Sequence, residues 1–413
     1  MSRQSTDVVV TGLGATTPLG GNVAQTWEAL LAGRTGVRRI DDADHEWVER
    51  HQLPVKIAAP LAVSPTEVLP RVKARRMDRC EQVAMVAAQE AWEHAGKPEV
   101  DPERLAVVIG TGIGGAVTLL DQDDLLESGG LRKVSPLTVP MLMPNGPAAW
   151  VGIEFGATGG VHAPVSACAS GAEALAWALR LIRSGEVDVV IAGGAEACIT
   201  GITVAGFVQA RTLSQRNDEP ERASRPFDVD RDGFVLGEGS GIMVLERAEF
   251  AAARGATVHG RLAGAGITSD AHHITGPEPE GTGQSRAIRK ALETAGLQPS
   301  DVGHVNCHAT STVAGDVGES RAVVKALGTH PVLTAPKSAL GHMVGAAGAV
   351  ESIITLLSIK EGVIPATLNL DRIDPGVELD VVSGEPRKVD LEAAVCDSFG
   401  FGGHNAAVAF TRA

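Results

Sequence analysis

Three residues of this 413-residue chain have types and settings that could do chemistry. Cys168 lies in VSACASGAEALAWALRLIRSGEVDVVIAGG (165–194), after an apolar stretch and just before a segment in which Ala172, Leu175, Ala176, Leu179 and Ile182 recur at helical spacing until Gly185. At a helix start, unpaired backbone N–H groups and the helix dipole favour an anion, so the thiolate fraction of Cys168 is expected to rise. Its neighbours Ala167, Ala169, Ser170 and Gly171 are small and leave room for a substrate. His308 closes a strand-like run in HVNCHATST (304–312). His342 follows Gly341 ahead of an alanine- and glycine-rich helix start in APKSALGHMVGAAGAVES (335–352). Taken singly, each also fits a purely structural role, a buried cysteine or an ordinary histidine. Glycine-flanked polar residues at strand ends are where α/β folds gather their sites, and together the three suit a thiol nucleophile flanked by imidazoles.

The elements that must position them alternate short β-branched runs with amphipathic segments, as in DVVVTGLG (7–14) followed by VAQTWEALLAG (23–33). Asn22 can cap the second piece, with Gln25 three residues on as in a capping box, and Gly33 would end it. A helix over 78–96 precedes the strand LAVVIG (105–110), and the block AIRKALETAGLQPSDVGHVNCH (287–308) repeats that order. The hexapeptides AWEHAG (91–96) and ALETAG (291–296) share four of six positions. The repetition predicts an internally duplicated α/β fold whose halves meet near residue 255. Residues 1–255 then carry the nucleophile and 256–413 the histidines. No proline-rich or charged linker separates them, so they should pack as one body.

Composition removes several function classes. Hydrophobic residues make up 44% and charged residues 21%, with 49 glycines, a globular profile. A net charge of −14 argues against a nucleic-acid surface, which needs clustered cations. Five scattered cysteines (Cys80, Cys168, Cys198, Cys307, Cys396) include no CxxC pair, so no disulfide framework, no zinc site and a reducing cytoplasm are expected. The opening MSRQSTDVVVTGLGATT holds an apolar run too short for a signal peptide. The most apolar window, Val187 to Val208, contains Asp188 and Glu196 and reads as a buried strand plus loops rather than a membrane span. GTGIGG (110–115) satisfies G-x-G-x-x-G, the mark of an NAD(P)-dependent dehydrogenase. That reading needs a second strand ending in an acid about 20 residues on. Here DQDDLLE (121–127) continues a helix and KVSPLTVPMLMP (133–144) ends no strand in an acid, so a tight strand-to-helix turn is the better reading.

The ordered motifs VSACASGAEA, HVNCHATST with a following GD, PKSALGH with GAAGAVES, and DSFGFGGHNAAVAF (397–410) resemble the β-ketoacyl-acyl-carrier-protein synthases. The likeness is to type II elongating enzymes of actinobacterial character and runs from TGLGATTPLG (11–20) to the end. It implies the thiolase-like fold, an internally duplicated five-layer αβαβα arrangement. It implies Cys168 as nucleophile, His308 and His342 as catalytic histidines, Lys337 as supporting lysine and Glu351 as its charge partner. Backbone N–H groups of Cys168 and Phe401 would form an oxyanion hole. Thr310 and Thr312 would touch the phosphopantetheine arm, Phe399 and Phe401 would gate the pocket, and Ile113 and Phe207 would line its acyl end. Arg75, Arg76, Arg132, Lys133 and Arg211 fall where the family docks its acyl-carrier protein.

The implied reaction is decarboxylative condensation of an acyl group on Cys168 with malonyl-carrier protein, in fatty-acid elongation or, alternatively, in a polyketide or other specialised pathway. It needs no metal or redox cofactor, since substrates ride on phosphopantetheine. A homodimer is implied as well. A catalytically silent partner subunit would resemble this chain but lack the nucleophile. A thiolase would carry a second cysteine where FGFGGHN stands, and Cys396 reads instead as part of a buried strand. Three residues depart from the family pattern: Ala309 for glycine, Val313 for proline and His404 for threonine. Ala309 is expected to restrict its backbone and Val313 to alter the arm's tunnel.

Overall fold

Runs of Val, Ile and Ala bounded by glycine form the strands of one large sheet: β1 (Val8–Thr16), β2 (Leu105–Gly110), β3 (Val161–His162), β4 (Val189–Glu196), β5 (Gly239–Arg247), β6 (Gly260–Ser269), β7 (Val302–Asn306), β8 (Val332–Thr334), β9 (Asp380–Val381), β10 (Ala393–Gly400) and β11 (His404–Thr411). The computed structural model describes residues 6–41 and 45–413; residues 1–5, the head of the opening stretch, lie outside the described residues, as do 42–44. Strands β1, β2 and β4 are buried at every position. Continuous apolar runs of this kind belong to strands covered on both faces.

The strand order is β9-β8-β7-β10-β11-β6-β1-β5-β4-β2-β3. Outward from β1, strands β5 and β4 pair antiparallel and β2 and β3 parallel. Outward from β6, strands β11 and β10 pair antiparallel and β7 and β8 parallel, the same sequence of directions, with β9 added at the edge. The halves join at the pairs Val9–Arg261 and Val10–Gly260.

Four helices complete the layers: α1 (Arg79–His94), α2 (Ser170–Ser184), α3 (Thr282–Ala295) and α4 (Ala347–Glu361). Helix α1 packs on β1 and β5, and α3 packs on β6 and β11, as outer layers. Helices α2 and α4 touch strands of both halves and form the middle layer. Helix α4 is buried from Ala347 through Ile359, its buried Glu351, Ser352, Thr355 and Ser358 all hydrogen-bonded within the protein. The result is helix, sheet, helix, sheet, helix.

The matching hexapeptides are the C-terminal ends of α1 and α3, and glycine lets both helices approach their strands closely. A Cβ added at Gly12 or Gly14 would lie 2.1 or 2.0 Å from the carbonyl oxygens of Ala91 and Ala87. At Gly264 or Gly266 it would lie 2.2 or 2.0 Å from those of Ala291 and Ala287.

Two local readings need correction. The window from Val187 to Val208 is β4 followed by a helix, Gly201–Gln209, capped by Thr200, rather than strand plus loops. Gly201 and Gly206 dilute the helical signal in the sequence. Asn22 does accept a hydrogen bond from the Gln25 N–H, but the Gln25 side chain accepts from Gly21 instead of Asn22, so only half a capping box forms. Among the described residues no helix is long and apolar enough to cross a membrane.

Candidate active site

Three chain reversals bring the chemistry together. Cys168 sits in the 3₁₀ turn Ala167–Ala169 directly ahead of α2, and His342 precedes the 3₁₀ turn Val344–Ala346 directly ahead of α4. His308 lies two residues beyond β7. The two turns are counterparts in the duplicated halves, and each contains a left-handed residue, Ala167 at φ +50° and Val344 at φ +43°. A β-branched residue there is strained and needs the surroundings to hold it. Glu196, at the end of β4, supplies the hold. Its carboxylate accepts from the N–H groups of Gly345 (3.0 Å), Gly112 (2.7 Å) and Ile113 (3.3 Å) and from the Thr111 hydroxyl (3.0 Å). Of the GTGIGG amides, Gly112 and Ile113 therefore point at a buried protein carboxylate, while Gly114 donates to the Thr111 hydroxyl and Gly115 to the Leu142 carbonyl, so they are taken up within the protein and the dinucleotide reading falls.

The reacting atoms lie close. His342 Nε2 is 3.0 Å from Cys168 Sγ. The His308 and His342 rings meet edge to face, their centroids 5.3 Å apart. Backbone amides of Phe401 and Cys168 both reach the sulfur. The expected rise in thiolate fraction is reversed: burial pushes the Cys168 thiol up to about 12, with Glu196 adding to the rise against the opposing charge of Lys337. Cys168 is half-buried at the cavity wall, with protein packed densely around the rest of the side chain. Burial also holds His342 and His308 well below the usual imidazole range, and Lys337 pushes both further down. The resting site is thus a thiol beside two neutral imidazoles.

Behind them lies an ionisable network. Lys337 Nζ donates to Glu351 Oε1 at 2.6 Å, with side-chain exposures of 1% and 0%. Burial raises the Glu351 carboxyl to about 7 despite that ammonium. The backbone N–H of His308 donates to Glu319 (2.7 Å) and to Asp397 (2.9 Å), and the backbone N–H of Ala309 donates to Glu319 (2.6 Å). Burial, with Asp397 alongside, holds the Glu319 carboxyl well above the carboxylate range.

A cavity of about 480 Å³ opens onto Cys168, His308 and His342 and is lined by Thr310, Thr312, Phe399, Phe401, Ile113 and Phe207 among others. The Thr310 and Thr312 hydroxyls are 3.1 Å apart. Phe207 packs edge-on against Phe234 at 5.1 Å and lies 6.4 Å from Phe401. Of the cysteines, Cys168 alone lines this cavity, while Cys396 is buried within β10. Arg75, Arg76, Arg132, Lys133 and Arg211 are all exposed, and only Arg211 lines the cavity.

The three departures have local outcomes. Ala309 does not occupy a left-handed conformation; the left-handed residue is Ser311 at φ +71°, so the expected restriction at Ala309 does not arise. Val313 lines the cavity, and its carbonyl accepts from Arg231 Nη2 at 2.7 Å. His404 is exposed, opens β11 opposite Ser269 and stands off the cavity. Sequence reasoning missed Phe234, which meets the His342 ring edge-on at 5.2 Å, and the carboxyls Glu196, Glu319 and Asp397. An acid inside an apolar run was the available signal at Glu196, where it served only to argue against a membrane span.

Comparison with known proteins agrees over the whole chain. The family models for the β-ketoacyl synthase N-terminal domain and C-terminal domain match residues 5–251 and 259–371. A 3-oxoacyl-[acyl-carrier-protein] synthase 2 of Mycobacterium tuberculosis is 50% identical over 98% of this chain and 97% of its own. A β-ketoacyl synthase crystal structure from Burkholderia phymatum superposes with a TM-score of 0.91 at 37% identity, covering 99% and 100% of the two chains. A type II polyketide ketosynthase, solved with its acyl-carrier protein and bound to the hexaketide, also gives 0.91, at 29% identity and the same coverage.

Proposed function

The chain belongs to the β-ketoacyl synthase family, and from that membership we propose that it is a 3-oxoacyl-acyl-carrier-protein synthase, an acyltransferase that elongates fatty-acyl chains. The observation that carries the reading is the 3.0 Å contact between Cys168 Sγ and His342 Nε2, at the wall of a cavity with a second neutral imidazole beside it. The thiol passes its proton to His342 as the sulfur attacks the acyl thioester on the carrier's phosphopantetheine arm. The carrier thiol leaves, and the acyl group stays on Cys168. Malonyl-carrier protein then enters and loses carbon dioxide. His308 and His342 donate to its thioester oxygen, where enolate charge develops. The enolate carbon attacks the acyl carbonyl on Cys168, whose oxyanion is received by the amides of Cys168 and Phe401, and the Cys168 sulfur leaves as a thiolate that takes up a proton from solvent to restore the resting thiol. No metal or redox group takes part.

The fatty-acid assignment is favoured over a polyketide pathway because full-length relatives at 42–50% identity carry the 3-oxoacyl synthase 2 name, whereas the polyketide ketosynthase stands at 29%. A silent partner subunit is disfavoured by the presence of Cys168. Thr310 and Thr312 would hold the pantetheine arm, and the five exposed cations would receive an acidic acyl-carrier protein. A homodimer is supported by the open edge at β3 and by exposed apolar side chains nearby in sequence, Ile153 (74%), Val161 (42%) and Val165 (51%). A cytoplasmic setting suits the free cysteines.

Incubation with acyl-carrier proteins of graded chain length should leave an acyl mass adduct on the peptide containing Cys168 and rank the accepted chains. An adduct that persists in Cys168→Ala overturns the assignment.

A further inference from the structure

Cys168, His308 and His342 each place one ligand atom, a sulfur or an imidazole nitrogen, within 4.8 Å of the others, and among the described residues no other cluster of three such groups does so. Tetrahedral zinc, with Zn–S of about 2.3 Å and Zn–N of about 2.0 Å, holds its ligand atoms roughly 3.3–3.6 Å apart. The 3.0 Å separation of Cys168 Sγ and His342 Nε2 therefore needs a few tenths of an ångström of opening, and any pair at the 4.8 Å limit of the cluster would have to close by about 1.2–1.5 Å, a shift of the His308 side chain. The cavity gives access and faces the triad, leaving a fourth position for water.

We propose that this triad is an inhibitory site for a thiophilic divalent cation such as Zn²⁺. The metal displaces the thiol proton, which leaves to solvent, and forms a bond to Sγ while each imidazole donates a lone pair. Nothing is oxidised or reduced. One soft thiolate with two imidazoles selects Zn²⁺ over Mg²⁺ or Ca²⁺, which prefer oxygen ligands.

Two features make the site inhibitory rather than the seat of a resident metal. Histidines that hold a permanent metal pass their second N–H to a carboxylate or carbonyl, and losing such a partner costs about 10–100-fold in affinity. Here the Nδ1 atoms of His308 and His342 are buried without a hydrogen-bond partner among the described residues. The Lys337 ammonium, whose charge already acts on both rings, also opposes a second cation. Binding should be reversible, and any group covalently attached to the Cys168 sulfur should abolish it.

Titration of the full chain with Co²⁺, a spectroscopic stand-in for Zn²⁺, tests this without reference to the reaction. One equivalent should produce a thiolate-to-cobalt charge-transfer band together with the intense visible bands of a four-coordinate site, and Zn²⁺ should erase both. Cys168→Ser, and protein alkylated at Cys168 with iodoacetamide, should lose the charge-transfer band, and His308→Gln should weaken binding by 10-fold or more. No band in the unmodified protein, or a band that survives substitution or alkylation of Cys168, overturns the proposal. Because the spectrum reads binding alone, failure of the condensation reading would leave this result standing.

Discussion

The two halves share a strand order and a helix packed through paired glycines, yet they hold their reactive groups in different ways. In the first half a single buried carboxylate, Glu196, is saturated by three backbone amides and one hydroxyl, and it fixes the loops around Cys168 by hydrogen bonds alone. In the second half the backbone N–H of His308 donates to the buried Glu319 and Asp397, and the buried Lys337 ammonium, paired with Glu351, acts on both imidazoles. Duplication thus copied geometry and left charge free to diverge. Backbone amides bond to buried carboxyls in both halves, but the buried Lys337 ammonium that lowers both imidazoles belongs to the second half, so that half should respond more sharply to loss of a charge.

The largest expected effect tests that asymmetry. Glu351→Ala leaves the Lys337 ammonium buried without its partner, at a cost of about 3–5 kcal/mol, visible as a lower denaturation midpoint. An unchanged midpoint would mean that the second half does not depend on the pair.

Next come the histidines. His308→Ala and His342→Ala should each reduce malonyl decarboxylation about 10²–10³-fold, while the acyl adduct on Cys168 still forms, more slowly in His342→Ala. Since both rings are held neutral, the acid limb of decarboxylation in the unmodified enzyme should fall below the ordinary imidazole value of about 6.5. A limb at or above that value would show that the second half does not tune its imidazoles.

A smaller pair of effects tests the likeness of the halves instead. Gly14→Ala and Gly266→Ala each push a Cβ into a helix carbonyl at 2.0 Å, so both should destabilise by about 1–3 kcal/mol and by similar amounts. Tolerance at one position only would break the equivalence. The smallest effect belongs to the surface of the first half. Replacing Arg132 and Lys133 by Ala should raise KM for acyl-carrier protein a few-fold and flatten its salt dependence, because rim charges act mainly on encounter. Turnover of a small pantetheine thioester should hold steady, and equal losses with both substrates would place these residues in the site itself.

Much of this architecture is legible along the chain because its causes are local. Gly185 ends α2 in a left-handed conformation, Asp78 caps α1, and uninterrupted Val and Ile runs become strands buried on both faces. The helix at Gly201–Gln209 escaped because its glycines weaken the same local signal. The ordered motifs point to the family for a related reason, since each packs several constraints into about ten consecutive residues.

Tertiary structure decided what the reactive groups are like. Cys168 and His342 stand 174 positions apart, and Glu196 and Gly345 stand 149 apart, so neither contact has a local signature. The protonation of Cys168 went the other way from the sequence expectation for a reason of magnitude. A helix dipole contributes about 0.3–1 kcal/mol at an exposed end, whereas burial can move a buried group's pKa by up to about 3–5 units at 1.36 kcal/mol each. Sequence placed the sulfur next to a helix; only the folded surroundings, by taking water away from it, determined that it rests as a thiol.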